Sequence, residues 1–423
     1  GNIDITKIGD IIQHNLHQIF PDRFENTPTS RDANFSFTAD IKKPAFFESF
    51  LSEKISTNGI TASGTFIESQ GVLLLKTNPF TLNFNDININ NLSIDINKLS
   101  PKSAEYGINA YDISQAGEMI IKSAEINGQA QNGKTNLSGR IVDKTGANKV
   151  ELMGAATLLN DSIPMSINKM KLQIAEKSWD LYDIAHLYYA RNRVYSHDLF
   201  LEGDDNYLEI SGFFGSSPAD TGIIDFSNVG PDFFKPFVAD QAILDSTNFR
   251  LSGRLLIQSA TGNPQIFGET YAKDISYLET NYGDLRIDFD DAIASNEIAL
   301  IANGTQGLMD GLMMSGTINP SEVDGNMFRL SLAIPKRTPI SIIQPILKGI
   351  VTIDSGHISG WAKLRGNPKK PVITGNFYLD TTTILVDYLN TRFTFGGDFF
   401  VNQKGVFSTD RITLIDEDKT GTA

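Results

Sequence analysis

The chain has no cysteine, only 2 tryptophans and 5 histidines among its 423 residues, and 36 basic side chains against 50 acidic ones. Without thiols there is no disulfide, no thiolate nucleophile and no Cys-ligated metal, which suits an oxidising envelope compartment. The net charge of −14 opposes nucleic acid and anionic membrane surfaces as electrostatic partners. It does not oppose lipids held by their tails, a contact that charge leaves alone. No apolar run approaches the roughly 18 residues that cross a bilayer. The chain starts with Gly and shows no signal peptide, so the expectation is a processed or excised piece of something larger.

Signatures of catalysis are missing as well. No Gly-x-Ser-x-Gly, P-loop or dinucleotide fingerprint occurs. Asp86-Ile87-Asn88-Ile89-Asn90-Asn91 begins like an EF-hand loop, but Asn91 and Asn97 stand where that loop needs Gly and Glu, and the alternating isoleucines read as strand. His14 and His17 share a helix face with no third ligand in sight. His186 and His197 flank Tyr188 and Tyr189, and a general base there would need an oriented partner, which a sequence does not show. The carboxylates Asp288, Asp290, Asp291 and Asp416, Glu417, Asp418 fall at polar phases and strand ends, as solvated turns do, rather than as a glycosidase pair. The expectation is a protein that is not an enzyme and uses no cofactor and no metal.

What the chain has is alternation. Apolar residues recur with a period of two at Phe80, Leu82 and Phe84, at Met170, Leu172 and Ile174, at Phe249 and Leu251, and at Leu285, Ile287 and Phe289. The same period returns at Phe328, Leu330, Leu332 and Ile334, at Phe393 and Phe395, and at Ile412 and Leu414. Between them stand Asn, Asp, Ser, Thr, Lys and Arg, so each strand has one greasy and one wet face. The surplus of Phe, 27 residues without a polar handle, fits either acyl chains or a dry core.

A few stretches have helical spacing instead. Residues 1–22 carry Ile8, Ile11, Ile12, Leu16, Ile19 and Phe20 at intervals of three and four and end at Pro21, which predicts an amphipathic N-terminal helix. Further short helices are predicted near 44–53, from Pro231, over Ile340 to Lys348, and, from a weaker pattern, over 179–189.

A phrase of an apolar residue, Ser or Thr, then Gly recurs along the chain, at Ala62-Ser63-Gly64, Leu137-Ser138-Gly139, Ile210-Ser211-Gly212 and Leu251-Ser252-Gly253. It returns at Met314-Ser315-Gly316, Ile358-Ser359-Gly360 and Ile373-Thr374-Gly375. Glycine there permits a corner or a close backbone approach, so the phrase is expected to mark the hinge between rungs. Longer units repeat too: Gly253, Gly268 and Asp274 correspond to Gly360, Gly375 and Asp380 at an offset of about 107 residues. The expected organisation is one continuous array, with the helix in 1–22, β-rungs over 23–222, a module over 223–329 and a module over 330–423 that stops before its end. Its fold class is all-β with a few short helices: an elongated repetitive sheet folded into a U-shaped apolar trough, or alternatively a closed β-solenoid.

The run His357-Ile358-Ser359-Gly360-Trp361-Ala362-Lys363-Leu364-Arg365-Gly366-Asn367-Pro368, continued by Pro371-Val372-Ile373-Thr374-Gly375-Asn376-Phe377-Tyr378-Leu379-Asp380, resembles the TamB family of translocation and assembly module proteins, AsmA-like bridge-type lipid-transfer proteins. Members share the pattern L-x-G-x-L-x-L-x-G-x-x-x-x-P-x-L-x-G-x-L-x-L-x-D and a later D-x-x-G-T-A turn, matched here by Asp418-Lys419-Thr420-Gly421-Thr422-Ala423. Residues 223–423 carry the pattern twice and residues 35–75 carry its opening, while 76–222 are only loosely similar. The Asn- and Ile-rich composition is similar to members from Bacteroidota. The resemblance implies an internal fragment of a periplasmic protein, anchored in the inner membrane and reaching an outer-membrane Omp85-type barrel protein through regions beyond this fragment. Its groove would conduct phospholipids between inner and outer membrane in support of outer-membrane biogenesis. The groove-lining candidates are then Phe249, Leu251, Leu285, Ile287, Phe289, Phe328, Leu330, Leu332, Ile334, Phe393, Phe395, Ile412 and Leu414, in contact with phospholipid acyl chains. The competing expectation is a non-enzymatic β-solenoid scaffold or adhesin-type module that binds protein or polysaccharide partners.

Overall fold

Alternation becomes antiparallel strand along most of the chain in a computed structural model, which describes residues 8–27, 34–41, 55–84, 87–115, 117–175, 177–237, 244–261, 264–291, 297–319, 327–367, 370–402, 405–408 and 415–416. The protein is all-β, with one helix of regular length among the described residues. Two compact units divide it, Gly1–Asp205 with Ile210–Phe213, and Asn206–Glu209 with Phe214–Ala423.

The first unit opens with the helix α1 (Ile8–Ile19). Its strands are β1 (Asn34–Ile41), β2 (Ile55–Thr57), β3 (Ile60–Ile67), β4 (Val72–Thr77), β5 (Phe80–Phe84), β6 (Ile87–Ser100) and β7 (Ser103–Gln115). They continue as β8 (Glu118–Gln131), β9 (Lys134–Asp143), β10 (Lys149–Thr157), β11 (Ser162–Ile174), β12 (Lys177–Leu181), β13 (Ala185–Ala190) and β14 (Arg193–Glu202). From β6 to β11 each strand pairs with the next in sequence, the pattern of a meander. Its hairpins use turn chemistry that matches strand twist: Asn132 and Gly133 take φ values of 50° and 82°, the left-handed pair of a type I′ turn. Two groups of buried apolar side chains form here, Ile60, Phe80, Leu92, Ala110 and Ile113 in one, and Ile19, Ala104 and Ala130 in the other.

The predicted N-terminal helix is found as α1, and it lies across strand ends. Ile19 and Phe20 pack on Ala104, Tyr106 and Ala130, and the Gly133 amide donates to the Ile19 carbonyl at 2.6 Å. The helix expected near 44–53 falls outside the described residues. The helix expected over 179–189 is not there: β12 and β13 occupy that stretch. Trp179, 2% exposed, faces Leu172 across the ladder, and Ala185 and Leu187 face Ile167 and Met165, so period two wins over the apparent helical spacing. The exposed residues Tyr182 and Ile184 border the turn between the two strands.

β15 (Tyr207–Phe214) spans the division between the units. The second unit runs through β16 (Thr221–Val229), β17 (Thr247–Gln258), β18 (Gln265–Tyr277), β19 (Thr280–Asp291), β20 (Ile298–Gln306) and β21 (Met313–Ile318). It ends with β22 (Phe328–Pro339), β23 (Val351–Asn367), β24 (Lys370–Val386), β25 (Thr391–Asn402), β26 (Gly405–Ser408) and β27 (Ile415–Asp416). Every strand from β16 to β26 pairs antiparallel with its sequence neighbour. Short helical turns form where the sequence predicts them, at Pro231–Phe237 and over Ile340–Ile343 continued by Gln344–Leu347.

One hairpin of this unit carries the wrong residues for its turn. Leu278 and Glu279, between β18 and β19, take φ values of 47° and 70°, a left-handed pair that Asn and Gly adopt without steric cost. Replacing both, Leu278→Asn with Glu279→Gly, is expected to stabilise the protein by about 1 kcal/mol, read as a rise in the urea midpoint at constant slope.

Candidate apolar binding face

Residues opposite each other in an antiparallel ladder point to the same side of the sheet, so register alone sorts the second unit into two faces. Leu251 stands opposite Ala272, and Ala272 opposite Leu285. Ile287 stands opposite Thr270 and Ala302, and Phe289 opposite Gly268 and Leu300. From Ala302 and Leu300 the row continues through Met314 and Gly316 to Leu332 and Leu330, then to Ala362 and Leu364. Phe328 opposes Ile318 and Gly366, and Ile334 opposes Gly360. Gly360 leads to Phe377 and on to Phe399.

Phe249, Phe393 and Phe395 join the same side through the period of two in their own strands. The register slip beside β17 falls on β18, where Asp274 takes a φ of 53°, so Phe249 keeps phase with Leu251; its ring lies 6.0 Å from that of Phe234. The slip beside β25 falls on β24, where Thr381 takes a φ of 42°. Phe393 and Phe395 therefore keep phase with Phe399, and the Phe395 and Phe399 rings are 6.2 Å apart. All eleven lining candidates within the described residues share one face; Ile412 and Leu414 lie outside them.

That face is greasy but not closed. Each of those eleven side chains is half-buried, and the fully buried positions between them are mostly small, such as Ala272, Ala302 and Ala362. Both clusters of mutually buried apolar residues belong to the first unit, so among the described residues this face has no equivalent packed core. The opposite face mixes charged side chains with the exposed Tyr271, Ile301, Trp361 and Tyr378. Asp225, Arg254 and Glu269 stand in one cross-strand row, with Arg254 bidentate on Asp225 at 2.7 and 2.9 Å. Arg286 reaches both Glu269 and Asp288 at 2.9 Å. Hydrogen bonds and charge from these carboxylates hold both guanidiniums firmly protonated.

The Ser/Thr-Gly phrase sits in mid-strand rather than at a hinge between rungs, which corrects the expectation for it. Gly253, Gly316, Gly360 and Gly375 of the phrase, together with Gly268, lie on the apolar face, and a Cβ added at any of them would stand 2.0 to 2.4 Å from a carbonyl oxygen of the adjacent strand. At each point a carbonyl of the adjacent strand stands where a side chain would begin, so only glycine fits.

Other apolar residues share the face and escape sequence reading. Leu255 and Ile257 hide within the run Leu255-Leu256-Ile257, and Phe399 within the pair Phe399-Phe400, where contiguous apolar residues erase the phase. Phe377 is masked in the same way by Tyr378 and Leu379.

The polar candidates do not converge on a reactive arrangement. Among the described residues no three His, Asp or Glu side chains gather as metal ligands. His186 and His197 are cross-strand partners, with His197 Nε2 3.2 Å from Asp198. His14 and His17 each direct Nδ1 at a backbone carbonyl, of Thr27 and Phe24. Asn88 and Asn90 belong to β6, as the alternating isoleucines require.

The chain was compared with known proteins: no family model, no curated protein and no solved structure matches it.

Proposed function

We propose that the chain is a segment of a TamB-like, periplasm-spanning lipid-transfer protein, in which the apolar face of the second unit is the inner wall of an open trough that conducts phospholipid acyl chains. The observation that carries this reading is the apolar row that runs through the ladder from β17 to β25, in which all eleven candidates are half-buried. An acyl chain laid on such a wall gains roughly 0.8 kcal/mol per buried methylene, so lipid is held without head-group contacts. A row of near-equivalent Leu, Ile and Phe side chains lets the tail slide, and no catalytic residue is needed. The periplasm as the site of action, the inner-membrane anchor and the barrel partner follow from the family resemblance.

Leu330→Asp tests the reading against a closed, solenoid-like scaffold. On an open wall the carboxylate reaches water, so the variant is expected to keep the wild-type circular dichroism and melting temperature while co-purified phospholipid falls several-fold. In a closed core the same charge has no exit and the unit unfolds, at a cost of several kcal/mol. Unfolding of the variant, or full lipid retention in a folded one, contradicts the trough.

A further inference from the structure

Two of the five histidines meet across one hairpin of the first unit. His186 on β13 stands directly opposite His197 on β14, and residues so paired project from the same side of the sheet with Cβ atoms roughly 4.5–5.5 Å apart. Both are exposed, the His197 side chain by 58%. Ser166, which opposes His186 from β11, is too small to cover the imidazole.

The orientation of the His197 ring is set by its own strand. In a regular strand Asp198 would face the other side, but it takes a φ of 60°, and its Oδ2 comes within 3.2 Å of His197 Nε2. A carboxylate only accepts, so Nε2 carries the proton and the free lone pair is on Nδ1. The Tyr195 ring flanks the imidazole, parallel to it within 13° and with centroids 6.2 Å apart. A histidine whose second nitrogen is held by a carboxylate has the setting of a metal ligand, which the carboxylate orients and makes more basic. Among the described residues no hydrogen bond engages His197 Nδ1 or either ring nitrogen of His186. His14 and His17 differ, since each directs Nδ1 at a backbone carbonyl.

We propose that His186 and His197 form a bidentate clamp for a borderline transition-metal dication, with Cu²⁺ ahead of Ni²⁺ and Zn²⁺, as imidazole ligands and the Irving–Williams order require. Metal–imidazole bonds of about 2.0–2.1 Å place the two nitrogens roughly 3 Å apart, within reach of side chains so opposed. Two imidazoles leave the remaining coordination positions to water, which makes the site exchangeable, unlike a folding centre with four protein ligands. Asp198 puts negative charge beside the metal, and Arg193, four residues along the same strand, is turned over the Phe213 ring at 4.9 Å. The clamp departs from the expectation of no metal, because strand register and not spacing in the chain brings the two rings together. It does not depend on the lipid-trough reading.

Isothermal titration of the full chain with Cu²⁺ in a non-coordinating buffer tests it. One saturable event at one ion per chain is expected, and the double variant His186→Ala/His197→Ala should lack it while keeping the wild-type circular dichroism. Asp198→Asn, which keeps an acceptor oxygen but not the charge, should bind about tenfold more weakly, as loss of an outer-shell carboxylate does. His357→Ala, in the second unit, should bind like the wild type. Electron paramagnetic resonance of the one-to-one complex should show two nitrogen ligands. The absence of a saturable event, an event that survives loss of both imidazoles, or a spectrum without nitrogen ligands overturns the clamp, and wild-type affinity in Asp198→Asn overturns the part given to the carboxylate.

Discussion

Gly360→Ala is expected to destabilise the second unit by roughly 3–4 kcal/mol, whereas Gly139→Ala, in the same Ser-Gly phrase, should change stability by less than about 1 kcal/mol. Gly360 lies in the middle of β23 with a φ of 141°, which L side chains rarely adopt. A Cβ there would stand 2.1 Å from the Asn376 oxygen and 2.9 Å from Phe377 Cα, both backbone atoms that cannot swing aside. At Gly139 the nearest atom is Leu152 Cγ, 3.4 Å away, an ordinary contact with a side chain. Thermal melts followed by circular dichroism should show a fall on the order of 10 °C for the first variant and little change for the second. Equal effects at the two sites would mean that the close backbone approach at Gly360 is not a feature of the folded protein.

The second large effect is at Lys98. Lys98→Met is expected to cost roughly 2–4 kcal/mol at pH 7, because three buried oxygens, on Asn15, Gln18 and Gly71, lose their donor together. Relief from burying a cation offsets part of this: desolvation lowers the Lys98 pKa from 10.5 to about 8. The sign of the pH dependence follows from that shift. Between pH 8 and 10.5 the unfolded chain still holds the lysine proton while the folded one releases it, so the wild type gains stability as pH rises. The gain is about 1.4 kcal/mol by pH 9 and about 2.6 kcal/mol by pH 10, and the methionine variant lacks it. Urea titrations of both proteins at pH 7, 9 and 10 should therefore show a gap that widens with pH. A constant gap would mean that Lys98 is solvated in the folded state.

How far the chain discloses its own fold depends on what each residue pattern senses. Period two is set by the pleat of one strand, and so the wall residues from Leu285 to Ile334 could be read without a structure. Which residue of β17 opposes which of β18 is set by bulges at positions such as Asp274, and composition does not reveal them. Trp179 and Leu187 read as a helix because two short strands joined by a turn mimic spacings of three and four. Phe377 and Phe399 were hidden because an apolar neighbour on the wrong face looks the same in sequence as one on the right face. Lys98 gave no signal at all, since its burial depends on α1 returning across some 80 residues. Within the candidate wall, the phase along each strand was therefore readable, and the alignment of strands into one surface was not.

That alignment is the basis of the proposed function, and photo-crosslinking in the native envelope tests it most directly. A crosslinking residue at Leu330 or Phe395 points to the apolar face, and one at Ser331, opposite Ser315 and Lys363, points to the other face. Mass spectrometry should find phospholipid attached at the first two positions and not at Ser331. Folded protein with no lipid adduct at Leu330 and Phe395, or with equal labelling at Ser331, would contradict the trough.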